Sequence, residues 1–305
     1  MKKTMEWDVR RIEVFFILTI ILSVATVLLV TPQTVLGITT SAGDVGELMP
    51  VHDPTSVPKE VLEDTEKVGN ELFGRNESAR DIFTGQLIGS YLFAENRDVI
   101  IIFNPGGWGL TSLYDSPQWK SIASGITSEI EGLGFSPLLL EYRRSNGNLA
   151  SYVDETMAIL DLYPVKAKEL AYRADFLTRH FPDLKIILAG ESNGTIICSQ
   201  VMEILKDNNC IFSIQTGTPF WHKSQMLSRA LIINDNGLIP DSFSKGDFFT
   251  IISKNFEVLF GFSKEKRPET IMKLLVAPGH FYSWQNSTVR NRIKNFLGEN
   301  FGTVN

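Results

Sequence analysis

The apolar run Leu184-Lys185-Ile186-Ile187-Leu188-Ala189 passes without a linker into Gly190-Glu191-Ser192-Asn193-Gly194, and then into the helix-compatible stretch Thr195 to Leu205. A strand-sized segment must therefore reverse into a helix within a few residues, which few architectures accommodate. In this G-x-S-x-G pattern the serine at the apex is expected to take a strained backbone conformation, and the flanking positions have no room for a Cβ. The serine oxygen would then stand clear of the sheet at the positive end of the following helix, where a developing oxyanion is stabilised.

The same alternation of strand and helix runs through much of the chain. Val99 to Phe103, Pro137 to Tyr142, Ile211 to Gln215, Ala230 to Ile233 and Met272 to Ala277 read as strands. Gln118 to Leu133, Val165 to His180 and Val289 to Leu297 read as helices, together with the one after Ser192. Continuous apolar strands separated by helices predict an α/β fold with a mostly parallel sheet covered on both faces. Ligands in such sheets gather at the carboxyl ends of the strands. Ahead of this core, Pro58 to Phe73 is predicted as a helix with proline in its first turn. Asp81 to Phe93 is predicted as short hairpin strands, with Gly85 and Gly89 as breakers.

The N-terminus carries a different signal. Val14 to Val30 is uncharged and apolar or small, follows Lys2, Lys3, Arg10 and Arg11, and precedes a stretch without Lys or Arg as far as Lys59. That length suffices to cross a bilayer, and the charge bias keeps the N-terminus cytoplasmic. The expected organisation is a cytoplasmic stub and transmembrane anchor over 1–30, a tether and leading helix over 31–80, and an extracytoplasmic α/β domain over 81–305. A cleavable signal peptide, cut near Val35-Leu36-Gly37, is the alternative and would leave the domain secreted.

Composition narrows the partners. A net charge of -6 leaves no basic footprint for nucleic acid. Cys198 and Cys210 would be held apart by the helix between them, and no C-x-x-C or helical His pair suggests a structural zinc. No metal or cofactor is expected.

A serine needs a base. Of the four histidines, His52 lies in the tether and His180 at the wrong end of the sheet. His222 precedes any plausible acid-bearing strand, whereas His280, in Ala277-Pro278-Gly279-His280, directly follows the last expected strand. A carboxylate should orient that imidazole from another strand end. Asp235, immediately after Ala230 to Ile233, is the first choice, with Asp241 further down the same loop as the alternative. Asn104-Pro105-Gly106-Gly107-Trp108-Gly109 follows the Val99 strand. There Gly107 or Trp108 would supply one oxyanion N–H, with the backbone N–H of Asn193 as the other.

In this order, Gly106-Gly107-Trp108, Gly190-Glu191-Ser192-Asn193-Gly194, Asp235 and Gly279-His280 resemble the α/β-hydrolase superfamily over residues of about 81 to 300. The resemblance implies an α/β-hydrolase fold, with Ser192 as nucleophile, His280 as base, Asp235 as acid, and Gly107, Trp108 and Asn193 as the oxyanion site. It implies a serine hydrolase acting on carboxylic esters or related acyl compounds. An acyltransferase, a peptidase, or a non-catalytic membrane-anchored binding protein on the same fold are the alternatives. The phenylalanine-rich segment 241–269 reads either as a lid or apolar wall, or as a helix with its aromatics in the core. Asn76-Glu77-Ser78 and Asn286-Ser287-Thr288 match the glycosylation acceptor pattern.

Overall fold

Among the described residues, five parallel strands form a sheet in the order β2-β1-β3-β4-β5: β1 Val99–Asn104, β2 Pro137–Glu141, β3 Lys185–Glu191, β4 Ile211–Thr216 and β5 Ala230–Ile233. The computed structural model of the protein describes residues 57–109, 111–144, 149–223, 227–259 and 277–302. All of them belong to one compact unit, Asp44–Lys266 with Leu275–Asn305. The apolar run at 14–30, nearly all of the tether, and the expected strand at Met272 to Ala277 apart from its last residue lie outside the described residues. Among the described residues no helix is long and apolar enough to cross a membrane.

Alternation along the strands sorts the core into two layers. Val99, Ile101 and Phe103, with Ile187, Ala189, Phe212 and Ile214, face one side. There they pack with α3 (Pro117–Gly132) through Trp119, Ile122, Ile126 and Ile130, and with α9 (Ser287–Phe301) through Val289, Ile293 and Phe296. On the other side α6 (Gly194–Ile204) lies on β1, β3 and β4, with α5 (Pro164–His180) packed against it. Ile197, Val201, Leu170 and Ala174 are buried there. Two further helices follow strand ends at the sheet's carboxyl edge: α4 (Leu149–Leu160) after β2, and α8 (Phe248–Leu259) after the one-turn α7 (Ser242–Lys245).

The expected hairpin at 81–93 is instead a helix. α1 (Lys59–Phe73) and α2 (Glu77–Ala94) form a helical pair resting on α5. Phe83, Leu87, Ser90 and Ala94 are buried at helical spacing, and Asn76 caps the start, its Oδ1 accepting from Ala79 N at 3.2 Å. Gly85 and Gly89 are tolerated because the burial of that apolar stripe outweighs a glycine's cost of about 1 kcal/mol. Arg173 of α5 secures α2 by stacking 4.6 Å from the Phe83 ring centroid and donating to Gln86. The domain start expected at residue 81 thus falls inside α2.

The two readings of this segment separate by mutation. Phe83, 2% exposed, should lose about 3–5 kcal/mol on replacement by Ala. Gly85→Ala, which in a strand would share the face of Phe83, is exposed with nothing within 4 Å of an added Cβ and in a helix should gain up to about 1 kcal/mol. Urea unfolding of both variants checks this, and comparable losses would contradict the helix.

Candidate active site

The strand β3 ends in a turn with Ser192 at φ 48°, in the left-handed region that side chains rarely adopt. Its neighbours explain how the turn is held. A Cβ at Gly190 would lie 2.9 Å from Cys198 Sγ and 3.0 Å from Thr195 Cα, and one at Gly194 only 2.2 Å from the carbonyl oxygen of Asn104. The Ser192 carbonyl accepts from Thr195 N at 2.9 Å and Thr195 Oγ1 at 2.6 Å, closing the first turn of α6. Ser192 itself is half-buried at the carboxyl edge of the sheet. Beneath it, burial pushes the Cys198 thiol up to about 12, so that sulfur is an inert packing group.

His280 reaches the same edge. Ser192 N donates to Thr216 O at 2.9 Å, and the next residue, Gly217 at φ 66°, lies against the imidazole. A Cβ there would sit 2.4 Å from His280 Cε1 and 2.8 Å from Nδ1. Ser192 and His280 therefore flank one short stretch of backbone. The Gly279 backbone is equally confined, since a Cβ would meet Pro240 O at 2.2 Å. Asn236 clamps the segment by donating from Nδ2 to Gly279 O and Phe281 O at 3.2 and 3.0 Å.

The carboxylate beside His280 is Asp241, not Asp235. His280 Nδ1 is 2.8 Å from Asp241 Oδ2, and the acid is fully buried. Asp235 is exposed, and its Oδ1 accepts from Gly237 N at 2.7 Å within a turn. An isolated antiparallel bridge between Asp235 and Pro240 folds the loop back on itself, which brings 241, six residues past the first choice, to the histidine. Asp241 also caps α7: Oδ1 accepts from Phe243 N at 2.8 Å and Ser244 N at 3.1 Å. Oδ2 accepts further from Tyr282 Oη at 2.7 Å and Ser244 Oγ at 2.9 Å. Burial alone would raise this carboxyl, but the hydrogen bond and charge of His280, with donation from Tyr282 and Ser244 N, hold it below the ordinary value of 3.8. Burial, then the Asp241 charge, raises Tyr282, which stays a donor.

The Gly-rich loop after β1 sits directly on the serine. A Cβ at Gly106 would be 3.0 Å from Ser192 Cβ, and Asn193 Nδ2 donates to Gly107 O at 3.2 Å. Gly106 is thus held against Ser192, and Gly107 is tied to the neighbouring Asn193. Trp108 Nε1 donates to Thr156 Oγ1 of α4 at 3.1 Å. Residues 241–259 supply the carboxylate as well as aromatic cover: Phe243 packs 4.8 Å from the His280 ring and Trp221 5.3 Å from Phe243. Phe281, Leu238 and Ile239 are exposed nearby in sequence. A surface groove on α4 and α5, lined by Met157, Leu160 and Val165, contains none of Ser192, Asp241 and His280.

The other histidines stand elsewhere. His180 Nε2 is 3.0 Å from Asp64 Oδ2 at the helix end of α5, His222 has its pKa lowered by burial, and His52 lies outside the described residues. Among the described residues no group of His, Cys, Asp and Glu could hold a metal ion.

Asp241→Asn should reduce turnover of an acyl substrate by roughly 10⁴-fold, while Asp235→Asn leaves it within about 2-fold. The depressed carboxyl also has a stability signature. It contributes fully above the unfolded value of 3.8 and is lost as pH falls through the lower folded value. Urea midpoints measured between about pH 5 and pH 2 should fall more steeply for the native chain than for Asp241→Asn.

No family model matches the chain, and no curated protein matches it. Among solved structures it is similar to a Trichoderma reesei cutinase in complex with a C11Y4 phosphonate inhibitor. The identity is 11% and the TM-score 0.37, with 82% of this chain and 95% of that chain covered. A likeness of that size assigns neither fold nor chemistry to this chain.

Proposed function

We propose that the protein is a serine hydrolase of the α/β-hydrolase type, acting on carboxylic esters or related acyl compounds. The observation that carries this reading is the left-handed turn at Ser192 beside a histidine whose Nδ1 meets a buried carboxylate. A serine in a relaxed loop needs no such turn, and a structural histidine needs no charged partner with five hydrogen-bond donors on it.

In the proposed reaction Ser192 Oγ attacks the acyl carbonyl while its proton passes to His280 Nε2. Asp241 holds the opposite nitrogen and stabilises the imidazolium. The carbonyl oxygen becomes an oxyanion, bound by the Asn193 N–H and by Gly107 or Trp108. Collapse breaks the bond to the leaving alcohol, which takes the proton from His280. A water, deprotonated by His280, then attacks the acyl-serine; collapse breaks the acyl–Oγ bond, Ser192 Oγ takes the proton back from His280, and the acid leaves. Phe243 against the His280 ring and Trp221 against Phe243 place apolar surface beside the histidine, which favours an acyl or alkyl group over a charged one. The apolar run at 14–30 fits a domain tethered at a membrane and exposed outside the cytoplasm, or one exported after cleavage.

A fluorophosphonate probe tests the assignment. The native chain should be labelled and Ser192→Ala should not, with hydrolysis of a p-nitrophenyl ester lost in parallel. A folded native protein that neither labels nor hydrolyses would make the site a binding site. Formation of a new ester with an added alcohol acceptor would shift the reading to acyl transfer.

A further inference from the structure

Arg144, just beyond β2, is buried with its whole guanidinium inside the protein. Its Nε donates to the equally buried Glu155 of α4 at 2.7 Å. Its Nη1 donates to Pro105 O at 2.6 Å and its Nη2 to Gly107 O at 3.4 Å, while its backbone N donates to Gly109 O at 3.2 Å. Gly109, at φ 68°, leaves the space the side chain needs: a Cβ would lie 2.8 Å from Arg144 Cβ and 2.9 Å from Cζ and Nε. Lys166 also pairs with Glu155 and donates to Arg144 O at 3.2 Å. The Tyr163 ring lies 5.2 Å from the guanidinium carbon.

The direction of these bonds matters. In a trans peptide the N–H points opposite to the C=O. Drawing the carbonyls of Pro105 and Gly107 toward the guanidinium therefore turns the N–H groups of Gly106 and Trp108 away from it. The first of these is seen doing so: Gly106 N donates, at 3.4 Å, to Oε2 of Glu191, the residue preceding the serine. The Gly107 carbonyl is held a second time by Asn193 Nδ2, so the peptide ending in the Trp108 N–H is gripped from two sides. Buried ion pairs add little stability compared with apolar packing of the same volume. A rigid planar fork, by contrast, imposes direction.

We infer that Arg144 is a positioning residue for the oxyanion site, which aims the Trp108 N–H by gripping the carbonyl ends of loop 105–109, with Glu155 holding the guanidinium in place. This rests on the serine hydrolase reading.

The test uses Arg144→Lys, which keeps the charge and loses the fork, and Arg144→Met/Glu155→Met, which strands no buried carboxylate. Thermal unfolding identifies the folded variants, and at least one of this pair is expected to fold. Kinetics with a p-nitrophenyl ester should then show kcat reduced roughly 10- to 100-fold and KM within about 3-fold. Fluorophosphonate labelling should slow in parallel. Asn193→Ala, which keeps its backbone N–H, should also slow turnover, and its effect should be less than multiplicative when combined with Arg144→Lys, since both act on one peptide. A folded variant of Arg144 with kcat within about 2-fold of the native chain would overturn the inference while leaving the hydrolase reading intact. An unreactive native chain would instead remove the hydrolase reading and this inference with it.

Discussion

The backbone of Gly194 lies so close to Asn104 that a single added carbon would come within 2.2 Å of the carbonyl oxygen there. This approach follows from the register of the sheet, in which Asn104 stands beside Gly190 at the ends of β1 and β3. Two adjacent parallel strands stop at the same level, and the chain leaving each must turn within the width of the other. One turn becomes the left-handed bend at Ser192, the other the glycine loop whose Gly106 touches the serine Cβ. The strand order places the site where connections diverge, β1 leading outward to β2 and β3 leading the other way to β4. That is the crevice in which open α/β sheets bind ligands. The left-handed turn at Ser192 and the glycine loop beside it are thus two consequences of one backbone contact.

Asp241 couples the fold to the chemistry in a second way. Its two oxygens divide their work: Oδ1 takes the N–H groups that open α7, while Oδ2 takes the imidazole, the tyrosine and the serine hydroxyl. The cap fixes the carboxylate plane through Oδ1, and the hydroxyls of Tyr282 and Ser244 hold Oδ2 where it meets His280. The segment bearing His280 is fastened from the same loop, by Asn236 on the carbonyls of Gly279 and Phe281. One loop after β5 therefore supplies both the carboxylate beside the histidine and the clamp on its segment.

How much of this was legible in the sequence depends on how local each cause is. The strands β1 and β3 announce themselves because a strand buried on both faces is apolar along most of its length, whereas β4 is as buried but carries Ser213 and Gln215, and β2 and most of β5 are only half-buried. The serine turn was legible because Gly190-Glu191-Ser192-Asn193-Gly194 is contiguous between a strand and a helix, although the contact that requires Gly194 reaches back to Asn104 and Pro105. The helix at Glu77–Ala94 was misread because Gly85 and Gly89 look like breakers until the partner of the Phe83 and Leu87 stripe, α5, is known. Asp235 was preferred to Asp241 because adjacency to a strand is visible and the bridge from Asp235 to Pro240 is not. A signal did exist: Asp241 precedes Ser242-Phe243-Ser244, the pattern of an N-cap, and caps are fixed points in a loop. Nothing in the sequence marked Arg144, since its partners at 105, 107 and 155 converge only in three dimensions.

The surroundings of Asp241 also limit where a proton can rest in the proposed reaction. A carboxylate able to take the proton from His280 would need a raised affinity for it, as burial alone would produce. Here the reverse holds: donors from His280, Tyr282 and Ser244 favour the charged form and keep the carboxyl below its usual range. Tyr282, raised by the same burial and by the Asp241 charge, keeps its own proton and cannot act as a base. The proton taken from Ser192 therefore stops at His280, and the carboxylate acts on it only through charge and orientation. An imidazolium stabilised in this way remains ready to protonate the leaving group. In the proposed reaction one proton moves between serine, histidine and leaving group, and no further.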